Sequence, residues 1–268
     1  MNTASIHIFD RALVRRHRDR AAAAFAPHHN ALHQEIAAQM VDRLTDVKRD
    51  FSSVLDLGAH DGFLARQLAE REGRFVVAAE QSAAMLRHGR HVPSVVADEE
   101  ILPFAPASFD LITSNLSLHW VNDLPGTLAQ VRQVLRPEGM FLATLFGGDT
   151  LYELRACLLE AEMVVTGGAS PRVSPSLTMQ TASGLLQRAG FSLPVTDQEV
   201  ITLTYSNIFA LMRDLRGMGE VNAHAQRLRH PTRRAVFDLA NTLYIKRFGL
   251  SDGRIPARFE ILFLHGWH

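Results

Sequence analysis

The chain has 268 residues, 47% of them apolar and 21% charged. This suits a folded domain with a sizeable core and excludes a disordered or low-complexity chain. Positive and negative charges balance at 28 each, so no global field recruits nucleic acid. The single cysteine, Cys157, cannot form an internal disulfide and suggests a reducing compartment. No apolar run reaches the roughly 20 residues a membrane span needs.

The chain opens on an Arg-rich stretch, Arg11, Arg15, Arg16, Arg18 and Arg20. Asp10 and Asp19 interrupt it and serine is sparse, which argues against a mitochondrial presequence. Residues 10–46 read as helices: Ala21 to Ala24 favour helix and Pro27 breaks it. Leu32, Ile36, Met40, Val41 and Leu44 then recur at helical spacing. Residues 1–50 form a helical cap.

From residue 51 short apolar and β-branched runs alternate with amphipathic helices. Strands are expected at 53–57, 75–79, 94–97, 109–112 and 140–146, with helices near 61–72, 82–89 and 123–135. Arg136-Pro137-Glu138-Gly139 is the turn into the fifth strand. This alternation indicates an α/β fold with a doubly wound, mostly parallel sheet, its core spanning 51–148. The beat then stops. Residues 149–175 are a helical insertion, and 176–205 return to the core with a helix over 176–189 and a strand near 193–204. Residues 206–250 are a second, mostly helical insertion, read as a lid. Residues 251–268 supply the last core strand, near 257–265.

The strongest local feature is Val54-Leu55-Asp56-Leu57-Gly58-Ala59-His60-Asp61-Gly62, a strand running into a tight turn and a helix. Gly58 and Gly62 let a ligand approach the backbone, and the turn lies at the carboxyl end of the first strand. Glu80 ends the second strand, where a carboxylate accepts both hydroxyls of a ribose; Gln81 follows it. Asp98 and Glu99 follow the third strand, where an acceptor can take an adenine amino group. A dinucleotide and S-adenosylmethionine both suit such a crevice. The glycines run G-x-x-x-G rather than the dinucleotide G-x-G-x-x-G. Asp56 suits a positively charged amino-acid moiety better than a pyrophosphate. Each carboxylate alone reads as a solvated loop charge. Their repetition at the ends of consecutive strands favours S-adenosylmethionine.

Asp56-Leu57-Gly58, Glu80, Asp98 and Leu102-Pro103-Phe104 resemble the ordered motifs of the class I S-adenosylmethionine-dependent methyltransferases, over about residues 50–205. The resemblance implies a seven-stranded sheet. It implies that Glu80 holds the ribose, Asp98 the adenine, and Asp56 with Gly58 the methionine end. Ala59, His60, Gly62, Gln81, Glu99 and Asn115 complete the expected cofactor contacts. His60 stands where the family usually has glycine. Its side chain either crowds the cofactor or reaches elsewhere in the site.

Narrower motifs are Ile8-Phe9-Asp10-Arg11, Leu116-Ser117-Leu118-His119-Trp120-Val121-Asn122-Asp123-Leu124, Phe146-Gly147-Gly148-Asp149-Thr150-Leu151-Tyr152-Glu153-Leu154-Arg155 and Leu215-Arg216-Gly217-Met218-Gly219-Glu220. They resemble a family of mitochondrial respiratory complex I assembly factors and its bacterial relatives. More distantly the chain is similar to the malonyl-carrier-protein methyltransferases of biotin synthesis. Because the likeness begins at Ile8, a bacterial cytoplasmic protein is expected. These resemblances imply three activities: methyl transfer to a small or carrier-bound acceptor, arginine hydroxylation on a complex I subunit, or assembly without turnover. Hydroxylation also needs an oxygen source and electrons.

The acceptor is expected near Asn115 to Trp120. That segment lacks the N-P-P-[YF] pattern, which disfavours adenine or glutamine methylation. His119 is the candidate base or orienter, its alternative a structural histidine packed beside Trp120. Asp149, Tyr152 and Arg155 lie just beyond the fifth strand. Asp149 could pair with a cationic substrate and Arg155 with a carboxylate, or Asp149 and Thr150 could open a helix. His29 and His33 have i, i+4 spacing and His17-Arg18-Asp19 an H-x-D spacing, both without an evident further ligand. No metal site is therefore expected.

Overall fold

The computed structural model of the chain describes residues 7–89 and 92–268. Seven strands form one sheet in the order β3-β2-β1-β4-β5-β7-β6. They are β1 (Ser53–Leu57), β2 (Phe75–Glu80), β3 (Ser94–Val96), β4 (Phe109–Asn115), β5 (Leu135–Phe146), β6 (Ser192–Tyr205) and β7 (Ile255–Trp267). The first five run parallel, and β7 lies antiparallel between β5 and β6. This is the expected mostly parallel, doubly wound sheet. The expected turn at 136–139 lies within β5: the register against β4 jumps between Phe109↔Leu135 and Leu111↔Met140. The four residues loop out there, Glu138 adopting φ +62°.

Nine α-helices accompany the sheet among the described residues. They are α1 (Arg11–Ala23), α2 (Ala31–Thr45), α3 (Phe63–Ala69), α4 (Ala83–Leu86), α5 (Leu124–Val134), α6 (Tyr152–Thr166), α7 (Met179–Arg188), α8 (Ile208–Met218) and α9 (Arg234–Phe248). The region 206–250 is less helical than its composition suggests. Residues 219–233, between α8 and α9, form no regular helix.

Both faces of the central strands β1, β4 and β5 are buried, which is why these read as near-continuous apolar runs, whereas the edge strand β6 has no buried residue. Met140 and Leu142 of β5 point into one core with α2, α3, α6, α8 and α9. Phe141, Ala143 and Leu145 point into the other with α5 and α7. Helix α2 presents Leu32, Ile36, Met40 and Leu44 to the first core, all at most 4% exposed. Each such side chain contributes about 1.5–3 kcal/mol by leaving water. The carboxyl ends of β1 to β4 therefore open on one edge, and α1, α2, α6, α8 and α9 enclose the space beyond them.

Candidate functional site

The loop after β1 is held by backbone bonds from Gly58 and Ala59 to the Ala79 carbonyl, at 2.8 and 2.9 Å. Gly58 has φ +71°, and a Cβ there would fall 2.1 Å from Ser117 Oγ. Only glycine serves at such a position. Gly62 begins α3 at φ +72°. Asp56 is fully buried: Oδ1 accepts from Thr113 Oγ1 at 3.1 Å, while Oδ2 has no hydrogen-bond partner. Burial pushes this carboxyl up to about 7. Glu80 is also fully buried at the end of β2. Its Oε2 accepts from His60 N at 3.2 Å and its Oε1 from Ser82 N at 2.9 Å.

Asp98 and Gln81 share an open pocket of about 310 Å³ with Val96, Ala97, Arg11 and Arg15. Gln81 Nε2 is buried there without a partner. Glu99 turns the other way. It is fully buried, accepts from Ser117 Oγ at 2.7 Å, and ion-pairs with Arg11 and Arg18. Burial raises its carboxyl, but the two arginines and Ser117 outweigh that and hold it at about 2.

His60 adopts φ +52°, the left-handed region where glycine is the easier choice. Its ring turns toward the helical additions. It stacks on His33 of α2 at 4.8 Å, and Nε2 donates to the Met218 carbonyl at 3.0 Å. Burial, with His60 alongside, pushes His33 down to about 3, so it is neutral at physiological pH. Asn115 is engaged structurally: Nδ2 donates to the His33 carbonyl at 2.8 Å, and Oδ1 accepts from Thr144 at 2.9 Å.

Beyond β4 and β5 lies a cavity of about 260 Å³. Phe146, Leu151, Leu154, Leu158, Phe237 and Phe259 make it largely apolar, and His119, Trp120 and Glu220 line it with them. His119 Nε2 lies 3.0 Å from Glu220 Oε2, and Trp120 Nε1 donates to the same carboxylate at 3.1 Å. Burial raises the Glu220 carboxyl, but His119, His33 and Arg18 outweigh it and hold it at about 2. Glu220 is thus an anion, and Nε2 of His119 carries the hydrogen between them. Nδ1 of His119 is buried with no partner.

Of the residues proposed for chemistry, only His119 lines this cavity. Asp149 is exposed. Tyr152 packs edge-on against Phe248 at 5.8 Å and under Arg258. Arg155 Nη2 donates to the Gly148 and Thr150 carbonyls at 3.3 and 3.2 Å. His29 pairs with Asp214 at 2.6 Å, apart from the His33–His60 stack. Among the described residues no group of three or more His, Cys, Asp or Glu is placed to hold a metal ion.

Sequence reasoning does not single out Arg18, Ser117 or Glu220. Glu220 lies in one of the quoted motifs, which gives a signal but no role. Arg18 reads as one of many solvated arginines, yet it is 2% exposed.

The site's chemistry fits S-adenosyl-L-methionine. The Asp56 Oδ2 acceptor is buried and unpaired, a glycine cradle precludes side chains, and carboxylates end successive strands. Together with the sheet order, these features define a class I S-adenosylmethionine-dependent methyltransferase, whose cofactor is S-adenosyl-L-methionine. Comparisons agree. The methyltransferase domain family matches residues 55–143. The Homo sapiens mitochondrial arginine-hydroxylase NDUFAF5 is 40% identical over 98% of this chain and 77% of that protein. A malonyl-[acyl-carrier protein] O-methyltransferase of Methylovorus sp. is 34% identical over 99% of this chain and 91% of that protein. A Bacillus halodurans C-125 protein solved as a candidate methyltransferase superimposes with TM-score 0.59. It has 16% identity and covers 86% of this chain and 97% of its own, and so supports the fold. The chain belongs to the class I methyltransferase family that contains these relatives.

Proposed function

We propose that the chain transfers a methyl group to a small or carrier-bound acceptor seated in the His119 cavity. The observation that carries this reading is the His119–Glu220 pair on the wall of a cavity whose other walls are largely leucine and phenylalanine. When bound, S-adenosylmethionine supplies a methyl group already activated on a sulfonium. The chain's residues then have to bind, align and exclude water. Glu80 accepts the ribose hydroxyls, Asp98 the adenine amino group, and Asp56 with Gly58 receives the methionine end. Glu220 fixes the Nε2–H tautomer of His119. That leaves Nδ1, buried and without a partner in the cofactor-free chain, as the ring atom free to accept a proton or hydrogen bond once an acceptor is seated.

Arg216 also lines the cavity, at its solvent-exposed edge. A guanidinium at the mouth favours an acceptor carrying a carboxylate, such as a malonyl group on a carrier protein. The buried Cys157 suits the reducing cytoplasm of a bacterium.

A second reading is arginine hydroxylation on a respiratory complex I subunit, in which dioxygen supplies the inserted oxygen atom and an external two-electron donor reduces the other oxygen atom to water. It is favoured by the 40% identity to the human arginine-hydroxylase. Mass spectrometry of the arginine-bearing subunit, from cells with and without this gene, tests both. A gain of one oxygen supports hydroxylation, and a gain of one methylene supports protein methylation. An unchanged subunit, with methylated malonyl carrier protein and S-adenosylhomocysteine formed in vitro, supports the first reading. No product in either assay leaves a cofactor-binding assembly role and overturns both.

A further inference from the structure

We propose that Glu80, Glu99 and Ser117 form a guanidinium-binding site, filled by Arg18 of α1, which closes the ribose position until Arg18 withdraws. The inference rests on reading Glu80 as the ribose-binding carboxylate. Arg18 Nη1 donates to Glu80 Oε1 at 3.0 Å, to Glu80 Oε2 at 2.8 Å and to Glu99 Oε1 at 3.1 Å. Nη2 donates to Ser117 Oγ at 2.9 Å. Arginine, glutamates and serine are all at most 2% exposed, so this is a built site rather than a surface ion pair.

The acceptor count makes the two ligands exclusive. A carboxylate offers about four lone-pair positions. Two on Glu80 are used by Arg18, and the others by the backbone N–H groups of His60 and Ser82. No position is left for a ribose diol. The backbone donors are fixed by the fold, so the guanidinium is the partner that must leave.

Arg11 lies two helical turns before Arg18, on the same side of α1. It donates to Asp98 Oδ1 at 2.6 Å and ion-pairs with Glu99. One helix face thus engages both the ribose and the adenine carboxylates. The start of α1 is also tied to the segment after α8. Asp10 N donates to the Ala223 carbonyl at 2.9 Å, and Ala225 N to the Ile8 carbonyl at 2.8 Å. That segment carries Glu220, the partner of His119.

The test is calorimetric binding of S-adenosylhomocysteine to the full chain and to Arg18→Ala and Arg18→Gln. Both variants are expected to bind about tenfold or more tightly than the native chain, since no internal ligand has to be displaced. Millimolar guanidinium, against sodium at equal ionic strength, is expected to weaken binding to Arg18→Ala and to leave the native chain unaffected. Equal or weaker binding by the variants, or no competition by guanidinium, overturns the proposal. Should removing Arg18 unfold the chain by leaving two buried carboxylates unpaired, the native protein still decides. Its Arg18 side-chain N–H signals, slow to exchange when buried, are expected to disappear from the NMR spectrum at saturating S-adenosylhomocysteine. Their persistence refutes the exchange. Glu80→Gln made in the Arg18→Ala background separates the two ideas: unchanged binding on adding Glu80→Gln removes the ribose assignment itself, whereas weakened binding, with Arg18→Ala alone binding as the native chain does, removes only the guanidinium proposal.

Discussion

At the cofactor edge, Asp98, Glu80 and Glu99 are charge-paired with arginines of α1. In the neighbouring cavity leucine and phenylalanine form much of the wall, the His119–Glu220 pair lies on it, and Arg172, Ser174, Arg216 and Asn222 also line it. The first region is polar, and Glu80 and Glu99 in it are internally satisfied; at the ribose position a ligand gains only by exchanging one set of hydrogen bonds for another, while Asp56 Oδ2 and Gln81 Nε2 stay unpaired. The second is apolar and already open; a ligand gains by leaving water, and one proton acceptor is held ready. The cofactor edge is assembled by loops of the parallel sheet, and the cavity by the additions at 149–175 and 206–250. Binding and chemistry should therefore be separable by mutation.

The largest effect is expected at the cavity. His119→Ala should lower kcat about 10²–10⁴-fold for an acceptor that must lose a proton, and by less than about tenfold for a carboxylate, which is already ionised. S-adenosylhomocysteine affinity should stay within about threefold of native by calorimetry. Glu220→Gln keeps the shape but no longer enforces the Nε2–H tautomer. It should lower kcat less and displace the pH profile. Joint loss of turnover and cofactor affinity in either variant would break the division between the two regions. At the cofactor edge, Glu80→Gln in the Arg18→Ala background, where no internal guanidinium competes, should weaken S-adenosylhomocysteine about 100-fold or more. It loses two charge-assisted hydrogen bonds of the kind that contribute about 1.5–3 kcal/mol each.

The same contrast explains what was legible in the sequence. Asp56, Gly58, Glu80 and Asp98 stand at strand ends that alternation alone locates, so their convergence follows from topology. The cavity does not follow. His119 and Glu220 are brought together across 101 positions of chain, and 219–233 has no periodicity from which to place it. Arg18 was hidden for another reason: its helix is Arg-rich, and nothing local distinguishes a buried arginine from the solvated Arg15 and Arg16 beside it. His60 could be recognised as a departure from glycine. Its destination, the stack on His33, depends on α2.

A smaller effect distinguishes Asp56 from its neighbours at the same edge. Burial, with Asp61 and Glu80 adding like charge, pushes its carboxyl up to about 7 against the hydrogen bond from Thr113. The cofactor-free chain thus holds Asp56 protonated below that pH. An ammonium arriving beside it favours the carboxylate, so binding releases a proton on the acid side. S-adenosylhomocysteine affinity should be flat above pH 7 and fall by up to about tenfold per unit below it. Calorimetry from pH 5.5 to 8.5 measures this, and Asp56→Asn should flatten the curve. A pH-independent native curve would mean that Asp56 does not meet the amino end of the cofactor.

The smallest effects are expected from Asp149, Tyr152 and Arg155, and helix geometry gives the reason. Leu154 and Leu158, spaced i, i+4, share the face of α6 that lines the cavity, and Leu151 at its N-cap joins them there. Tyr152 and Arg155 are each one residue further on, about 100° around the helix. Their contacts are local: a ring edge on Phe248, and two carbonyls of the preceding turn. Asp149→Ala and Tyr152→Phe should change kcat and cofactor affinity by less than about threefold. Arg155→Ala should lower stability by about 1–2 kcal/mol through its lost hydrogen bonds, with kcat unchanged below the melting transition. A drop in kcat of tenfold or more in Asp149→Ala, at native stability, would show that the turn before α6 closes over the acceptor. The cavity would then extend past the leucine face to a charged rim, and its acceptor would be a cation rather than a carboxylate.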